Sequence, residues 1–386
     1  MIRHEILVAG GGLVGAAILC ALQQAGFDAA LVERGGRPKP FDPAVDDLRV
    51  YALSPASVRW LDALGVWPQV AAQRAGPYRR MQVWSEDPGA ALVFDAADLR
   101  LAALGHIVEN SLLQDALWRR LDSQRLYTGA EVEALELDDE GARLGLADGR
   151  QLQCRLLIAA DGADSRLRDL AGIETLGWGY PQRAIVAHVQ TERPHQDTAL
   201  QRFLRSGPLA FLPLADGRSS IVWSSTEAER LLALDETAFL LELAAAIQYE
   251  RGAILASTAR VSFPLRLSHA QDYVRASFAL AGDAAHSVHP LAGQGVNLGF
   301  ADGIALVQVL EAAREAGRDF GSLRTLKRYE RRRKPDNLDM LAVTDGLSRA
   351  FHLDLPGWEL LRDTGMQAVQ RLQPLKAFLA RQAAGL

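Results

Sequence analysis

The sequence predicts an α/β protein in which one parallel-sheet domain is interrupted by an inserted β-sheet domain and followed by C-terminal helices. Three observations predict it. An apolar run, Ile6-Leu7-Val8-Ala9, leads through Gly10-Gly11-Gly12-Leu13-Val14-Gly15 into a helix-like stretch, and a second apolar run, Ala29 to Val32, follows it. A third apolar run, Leu156-Leu157-Ile158, lies far along the chain, and so does a fourth, from Ala276 to Ala281. Between them, short strand-like segments alternate with turn signals, as in Leu214-Ala215-Asp216-Gly217-Arg218.

The first unit reads strand, turn, helix, strand. Its helix is expected from Val14 to Ala25, with Gly26 as the stop. The glycines Gly10, Gly12 and Gly15 allow a tight turn, close approach of backbone to a pyrophosphate, and close helix packing; Leu13 precedes and Val14 begins the helix whose positive end meets the phosphates. Glu33, 18 residues after Gly15, ends the second strand, where a carboxylate accepts hydrogen bonds from a ribose diol, with Arg34 beside it. This is a Rossmann-like dinucleotide site, and it does not by itself separate FAD from NAD.

The fourth run makes that distinction. It ends at Gly282-Asp283, which aims the Asp283 carboxylate at a polyol such as the ribityl chain that NAD lacks. The turn Pro290-Leu291-Ala292-Gly293-Gln294-Gly295 then enters a helix expected from Val296 to Val309. Backbone N–H groups from Gly293 to Asn297, and the positive helix end, suit the edge of an isoalloxazine where negative charge collects on reduction. The cofactor read from these residues is FAD, with Pro290, Gly293, Gly295, Val296 and Asn297 on the flavin-facing side.

Gly10 to Gly15 with Glu33, Asp161-Gly162 within Leu156 to Arg166, and Gly282-Asp283 occur in that order, and together they resemble the single-component flavoprotein aromatic hydroxylases of the para-hydroxybenzoate hydroxylase type. Narrower stretches are similar to the hydroxylases of ubiquinone biosynthesis: Asp47 to Ser54, Ile107 to Asn110, Gln201 to Leu214, and Tyr329-Glu330-Arg331-Arg332-Arg333. The resemblance runs from residue 4 to about 380. It implies that NAD(P)H visits as co-substrate without a fold of its own. It further implies that reduced FAD captures O2 as a C4a-hydroperoxide, and that a polyprenylated phenol is hydroxylated on its ring. A dry apolar cavity would hold the prenyl tail and protect the oxidant. Alternatives that share every motif are a same-fold monooxygenase or prenyl reductase with another substrate, and a non-catalytic flavin-bound subunit.

The expected domains are residues 1–75, 98–180 and 270–335 for FAD binding, 76–97 and 181–269 for the substrate sheet, and 336–386 for C-terminal helices. Strands are expected at Met81-Gln82-Val83-Trp84, Ala184 to Val189, Leu209 to Leu214, Ser220 to Ser224 and Arg260 to Leu265, with a helix from Thr237 to Gln248 on the far side of that sheet.

Composition agrees with this reading. A chain of 386 residues, 49% apolar and 23% charged, suffices for two globular cores. A net charge of −5 weighs against nucleic acid. Only Cys20 and Cys154 are present, which argues for a reducing compartment and against a disulfide framework or a redox-active cysteine pair. No signal peptide is visible and no charge-poor apolar run is expected to reach the roughly 18 residues of a membrane span, so the expected location is cytoplasmic.

Other residues carry two readings. Arg49 is a surface cation or, by the resemblance, a partner of the FAD pyrophosphate or shield of the flavin. Asn110 stands where the wider family has Arg or Gln on the cofactor, and reads otherwise as a helix N-cap. Asp161 is a strand-end turn or, by the resemblance, a cofactor and NAD(P)H contact. His286 and His289 sit three apart, yet no further ligand completes a metal set, and none is expected. Phe203, Phe211, Trp223 and Phe263 are core residues of which some would line the substrate cavity. Arg331-Arg332-Arg333-Lys334 reads as a solvated helix face, or as a site for an acidic partner or membrane. Met366, Val369 and Leu372, then Leu375, Phe378 and Leu379 beyond Pro374, form apolar stripes flanked by Lys376 and Arg381. They suit a packed helix, or peripheral docking on a membrane or on other ubiquinone-pathway proteins, which the resemblance favours.

Overall fold

The computed structural model describes residues 2–85, 91–287 and 295–352, with side chains as far as residue 346. Three sheets organise it. The first has eight strands, of which five are parallel neighbours in the order Phe278–Leu280, Gln151–Ala159, Ile2–Ala9, Ala29–Glu33 and Leu126–Thr128. Strands covered on both faces must be apolar throughout, which is why Ile6 to Ala9, Ala29 to Val32 and Leu156 to Ala159 are continuous apolar runs rather than alternating ones.

The turn after Ile2–Ala9 is set by glycine. Gly10 takes φ +103°, and a Cβ there would run into the carbonyl of Ala160 on the neighbouring strand. The helix Leu13–Gln24 ends where expected: Gly26 N donates to Gln23 O and Phe27 N to Leu22 O, closing its last turn. On its other side lies the helix Gly295–Glu315, whose Gly299 faces Val14 and whose Gly303 faces Ile18 and Trp60, so the two helices approach closely. This helix extends beyond the expected Val309. It also corrects the expectation about apolar runs, being long and apolar enough to cross a membrane by composition, although 67% of its most apolar window is buried within the protein.

The second sheet has nine strands. Its centre runs Val261–Ala270, Thr175–Thr191, Ser219–Ser225, Gly207–Pro213 and Thr198–Leu204, all antiparallel neighbours. The Asp216-Gly217 turn joins Gly207–Pro213 to Ser219–Ser225, with Gly217 at φ +89° and Leu214 N donating to Arg218 O at 2.9 Å. One face of this sheet presents Ile185, Leu209, Phe211, Ile221 and Trp223 to Phe239 and Leu243 of the helix Glu236–Ala246, which closes a second core.

A small third sheet, Val50–Leu53, Gly105–Glu109 and Ala75–Tyr78, packs against the second through Ala52, Ile107, Ala210 and Leu212. Of the segment expected in the substrate sheet from residue 76, Arg80–Trp84 and Leu92–Asp95 pair there, whereas Gly76 to Tyr78 pair with Gly105–Glu109 instead. The boundary drawn between 335 and 336 falls inside one helix, Leu323–His352, which continues through Pro335. Pro290, Gly293, His289 and the stripes from Met366 to Arg381 lie outside the described residues.

Candidate active site

A cavity of about 1070 Å³ opens where the three sheets meet. Its first wall is the glycine turn, with Gly10, Gly12, Leu13 and Val14, and beside it Glu33 and Arg34 at the end of the second strand. Gly12 has extended backbone (φ −67°, ψ −178°) and open space where a Cβ would stand, so its missing side chain leaves room in the cavity rather than relieving strain. Glu33 accepts hydrogen bonds from Gly11 N at 2.5 Å and Gly35 N at 2.6 Å, which pins the carboxylate at the cavity rim. Gly15 does not line the cavity. A Cβ there would collide with the Gly10 carbonyl, so its part is to let the helix start against the turn.

Arg49, Tyr51, Asn110 and Gln114 form the next wall. Asn110 begins the helix Asn110–Trp118 but does not cap it. Asp47 does so from the distant loop before Val50–Leu53, accepting from Ser111 N at 2.7 Å through one oxygen and from Arg49 N at 3.0 Å through the other. That leaves the Asn110 side chain on the cavity side and ties Arg49 to the same helix end. Gln114, one turn on, was not anticipated; it faces the cavity and donates to Gly11 O at 3.2 Å.

Asp161 and Asp283 sit on two turns that one buried arginine joins. Arg168 donates to Ala163 O at 3.0 Å and to Ala284 O at 3.2 Å. Asp161 accepts from Ser165 Oγ at 2.6 Å and from Leu167 N at 3.3 Å, so it orders its own turn as well as lining the cavity; burial raises its pKa, and these bonds oppose the rise. The Asp283 carboxylate opens to the cavity, and the surrounding protein pushes its pKa up against the pull of His286 and Arg49.

Gly282 lies behind that turn at φ +62° rather than in the cavity lining, and its N–H donates to Asp302 at 3.1 Å. Asp302 is wholly buried and gathers His286 Nε2 at 2.6 Å, Arg333 Nε at 2.9 Å and Asn337 Nδ2 at 3.1 Å. Burial alone would raise its pKa, but His286 and Arg333 outweigh that and hold the carboxyl below its usual range. Arg333 is therefore an internal ion-pair partner, which corrects its place in a solvated cationic face; Arg331 and Arg332 do remain exposed. His286 is likewise a hydrogen-bond partner of Asp302, and no cluster suited to a metal occurs among the described residues.

Gly295 and Val296 line the cavity at the start of the long helix. The Asn297 side chain points elsewhere, donating to Ala52 O at 2.8 Å and accepting from Ser54 N at 2.9 Å and Ser57 Oγ at 2.7 Å. It clamps the small sheet to the helix.

The last wall is the second sheet. Ala210, Val222, Val186 and Val261 are successive cross-strand partners on four strands, and all four line the cavity, with Leu212 and Phe263 beside them. Phe263 is thus the one aromatic cavity candidate placed there. Phe211 and Trp223 alternate to the opposite face and pack with Phe239, correcting their place as cavity residues. Phe203, opposite Pro208, is buried outside the lining.

The family model for an FAD binding domain matches residues 3–344. The chain is 40% identical to the 3-demethoxyubiquinol 3-hydroxylase of Escherichia coli (strain K12) over 99% of this chain and 98% of that protein. It is 38% identical to the ubiquinone hydroxylase UbiL of Rhodospirillum rubrum, over 99% of this chain and 89% of the relative. Among solved structures, P. aeruginosa PqsL superposes with a TM-score of 0.78 at 23% identity, covering 94% of this chain and 100% of that one. The chain therefore belongs to this FAD-binding family, and it is an FAD-dependent monooxygenase. Its place within the family is with the ubiquinone-biosynthesis hydroxylases.

Proposed function

We propose that this chain hydroxylates the ring of a polyprenylated phenol, drawing electrons from NAD(P)H and oxygen from O2. The observation that carries the reading is the shape and chemistry of one cavity: nucleotide-type polar groups along one side and a sheet face of small aliphatic residues opposite. FAD fits the polar side. Gly12 leaves room for a pyrophosphate, Glu33 stands where a ribose would lie, and the Asp283 carboxylate is open to a polyol. When bound, FAD supplies the hydride-accepting and oxygen-activating ring.

Everything else is the protein's part. Arg49 brings a fixed positive charge beside Asp283, suited to phosphate or to charge on the flavin. Asp302, through Gly282 N, holds the turn that presents Asp283, and Asp47 holds Arg49 and Asn110 at the opposite edge. Ala210, Val222, Val186 and Val261 offer no donor or acceptor side chain, so they exclude water and leave space for isoprenoid carbon.

Deleting the gene and profiling its quinones tests the reading. The expected strain accumulates a polyprenylphenol short of one ring hydroxyl, and a plasmid copy restores the mature quinone. A full complement of quinone in the deletion strain would contradict it.

A further inference from the structure

An ion-pair network joins the two walls of the cavity. On the cofactor side, residues 34–49 connect the strand Ala29–Glu33 to Val50–Leu53 without a helix or strand of their own, and this segment brings Leu48 and Arg49 to the cavity. Among the described residues, the hydrogen bonds of residues 36–45 stay within the segment, where Asp42 accepts from Ala44 N and Val45 N. Asp46 is then its first polar tie to another part of the protein. Asp46 and Asp47 are consecutive carboxylates with different partners. Asp47 accepts from Ser111 N and Arg49 N, on the FAD-domain side. Asp46 meets Arg218 of the second sheet instead.

Arg218 stands in the turn between Gly207–Pro213 and Ser219–Ser225, the strands that carry Ala210, Leu212 and Val222 to the cavity. Asp216, two residues earlier, accepts from Arg218 N at 3.0 Å, from its Nε at 2.9 Å and from one terminal nitrogen at 2.7 Å, which sets the direction of the guanidinium. Both terminal nitrogens then meet Asp46 on separate oxygens, at 2.9 and 2.5 Å. A planar fork suits this bidentate contact, and it holds the Asp46 carboxyl below its usual range. Arg74 extends the network, donating to both oxygens of buried Glu109 at 3.3 Å and lying 3.9 Å from Asp216. Glu109 is the cross-strand partner of Val50, the residue after Arg49. Arg218 and Asp46 are 27% and 37% exposed, so their pair adds little to global stability, but bidentate geometry within a network is the case in which such a pair does fix local structure.

We propose that Arg218 is a positioning residue for the cofactor: through Asp46 it fixes the segment that carries Arg49, so a residue of the second sheet sets FAD affinity without touching FAD. The proposal rests on the placement of Arg49 at the cofactor given above. Neither Arg218 nor Asp46 lines the cavity, so their effect passes through Asp47 and Arg49, the next residues along the chain. With Asp46 held, Arg49 keeps its N–H on Asp47 and its carbonyl on Asn110 N at 2.8 Å, and its charge stays beside Asp283. Released, the stretch from 46 to 49 samples other arrangements, and binding FAD must then order it again. The release is local, because pairing of Val50–Leu53 with Gly105–Glu109 begins at Val50.

Arg218→Gln, Asp46→Asn, the double variant and Arg49→Gln are compared with wild type as full-length chains. Amide hydrogen exchange at residues 46–49 and the melting temperature are measured on the FAD-free proteins, and FAD affinity by titration. Arg218→Gln and Asp46→Asn should each quicken exchange in that stretch and weaken FAD about fivefold, the scale of one well-formed exposed pair, with the melting temperature kept. The double variant should be no worse than either single one, because both remove the same interaction. Arg49→Gln should weaken FAD at least as far. Wild-type exchange and FAD affinity in Arg218→Gln, or single effects that add in the double variant, would overturn the proposal. A fall in melting temperature with FAD affinity unchanged would do the same, since the pair would then be structural alone. Unaltered FAD affinity in Arg49→Gln would instead remove the placement of Arg49 at the cofactor.

Discussion

Gly12 has open cavity where its Cβ would stand, whereas Gly10 has the Ala160 carbonyl there, so alanine acts differently at the two positions. Gly12→Ala should leave the melting temperature of the FAD-free protein unchanged and weaken FAD about tenfold or more, since a methyl group enters the phosphate space, a loss of about 1.4 kcal/mol. Gly10→Ala combines a backbone clash with φ +103° and should lower the melting temperature itself. Asp283→Ala removes a charged acceptor worth about 1.5–3 kcal/mol to a bound polyol, a roughly tenfold to hundredfold loss measurable by FAD titration. Unaltered FAD affinity in the Gly12 and Asp283 variants would contradict the placement of the cofactor. At this scale the sequence was informative wherever a role is local. Glycine geometry and a strand-end carboxylate announce themselves within a few residues. Asp47, Gln114, Arg168 and Asp302 did not, because each acquires its role from a partner distant in the chain; Arg333, the buried partner of Asp302, reads in sequence as one of four consecutive cations.

Strand alternation in the second sheet sorts side chains into two populations with different work. Ala210 and Val222 face the cavity, while their neighbours Leu209, Phe211, Ile221 and Trp223 face the helix Glu236–Ala246. Val222→Phe should therefore raise KM for a prenylphenol with FAD affinity unchanged, because it fills the cavity. Phe211→Ala should cost about 3–5 kcal/mol of stability, read by denaturant unfolding, with KM preserved. The reverse pattern would mean that the faces are exchanged. The period of two was legible in the sequence, and so were the strands and the covering helix. Which face the helix would take was not, because aromatic residues suit a core and a substrate pocket equally well. The helix Leu323–His352 gives a similar lesson: a proline at its centre suggests a break, but its buried face, with Tyr329 and Arg333 packed behind the Gly282 turn, carries the helix through.

Across the whole molecule, burial depresses the pKa of His4, His106, His188, His195 and His269, the last to about 4. For each, the folded pKa lies below the unfolded value of about 6.5, so the unfolded chain binds more protons between those values and stability falls as pH drops through that window. The melting temperature should decline between pH 6.5 and 4. His269→Gln, which keeps an acceptor for the Tyr273 hydroxyl now 3.0 Å away, should flatten the decline; an equally steep fall in the variant would place the linkage elsewhere.

The polar wall with the glycine turn and the aliphatic wall belong to different sheets and line a single cavity, an arrangement suited to holding a flavin against an apolar phenol while water is kept out. Turnover of 2-prenylphenol by the FAD-loaded protein under isotopically labelled O2 tests that account most directly. It predicts that NAD(P)H oxidation accelerates when the phenol is added and that the product gains one oxygen atom from O2 on its ring. A product whose new oxygen comes from water, or the absence of any hydroxylated product while NAD(P)H is consumed, would contradict it.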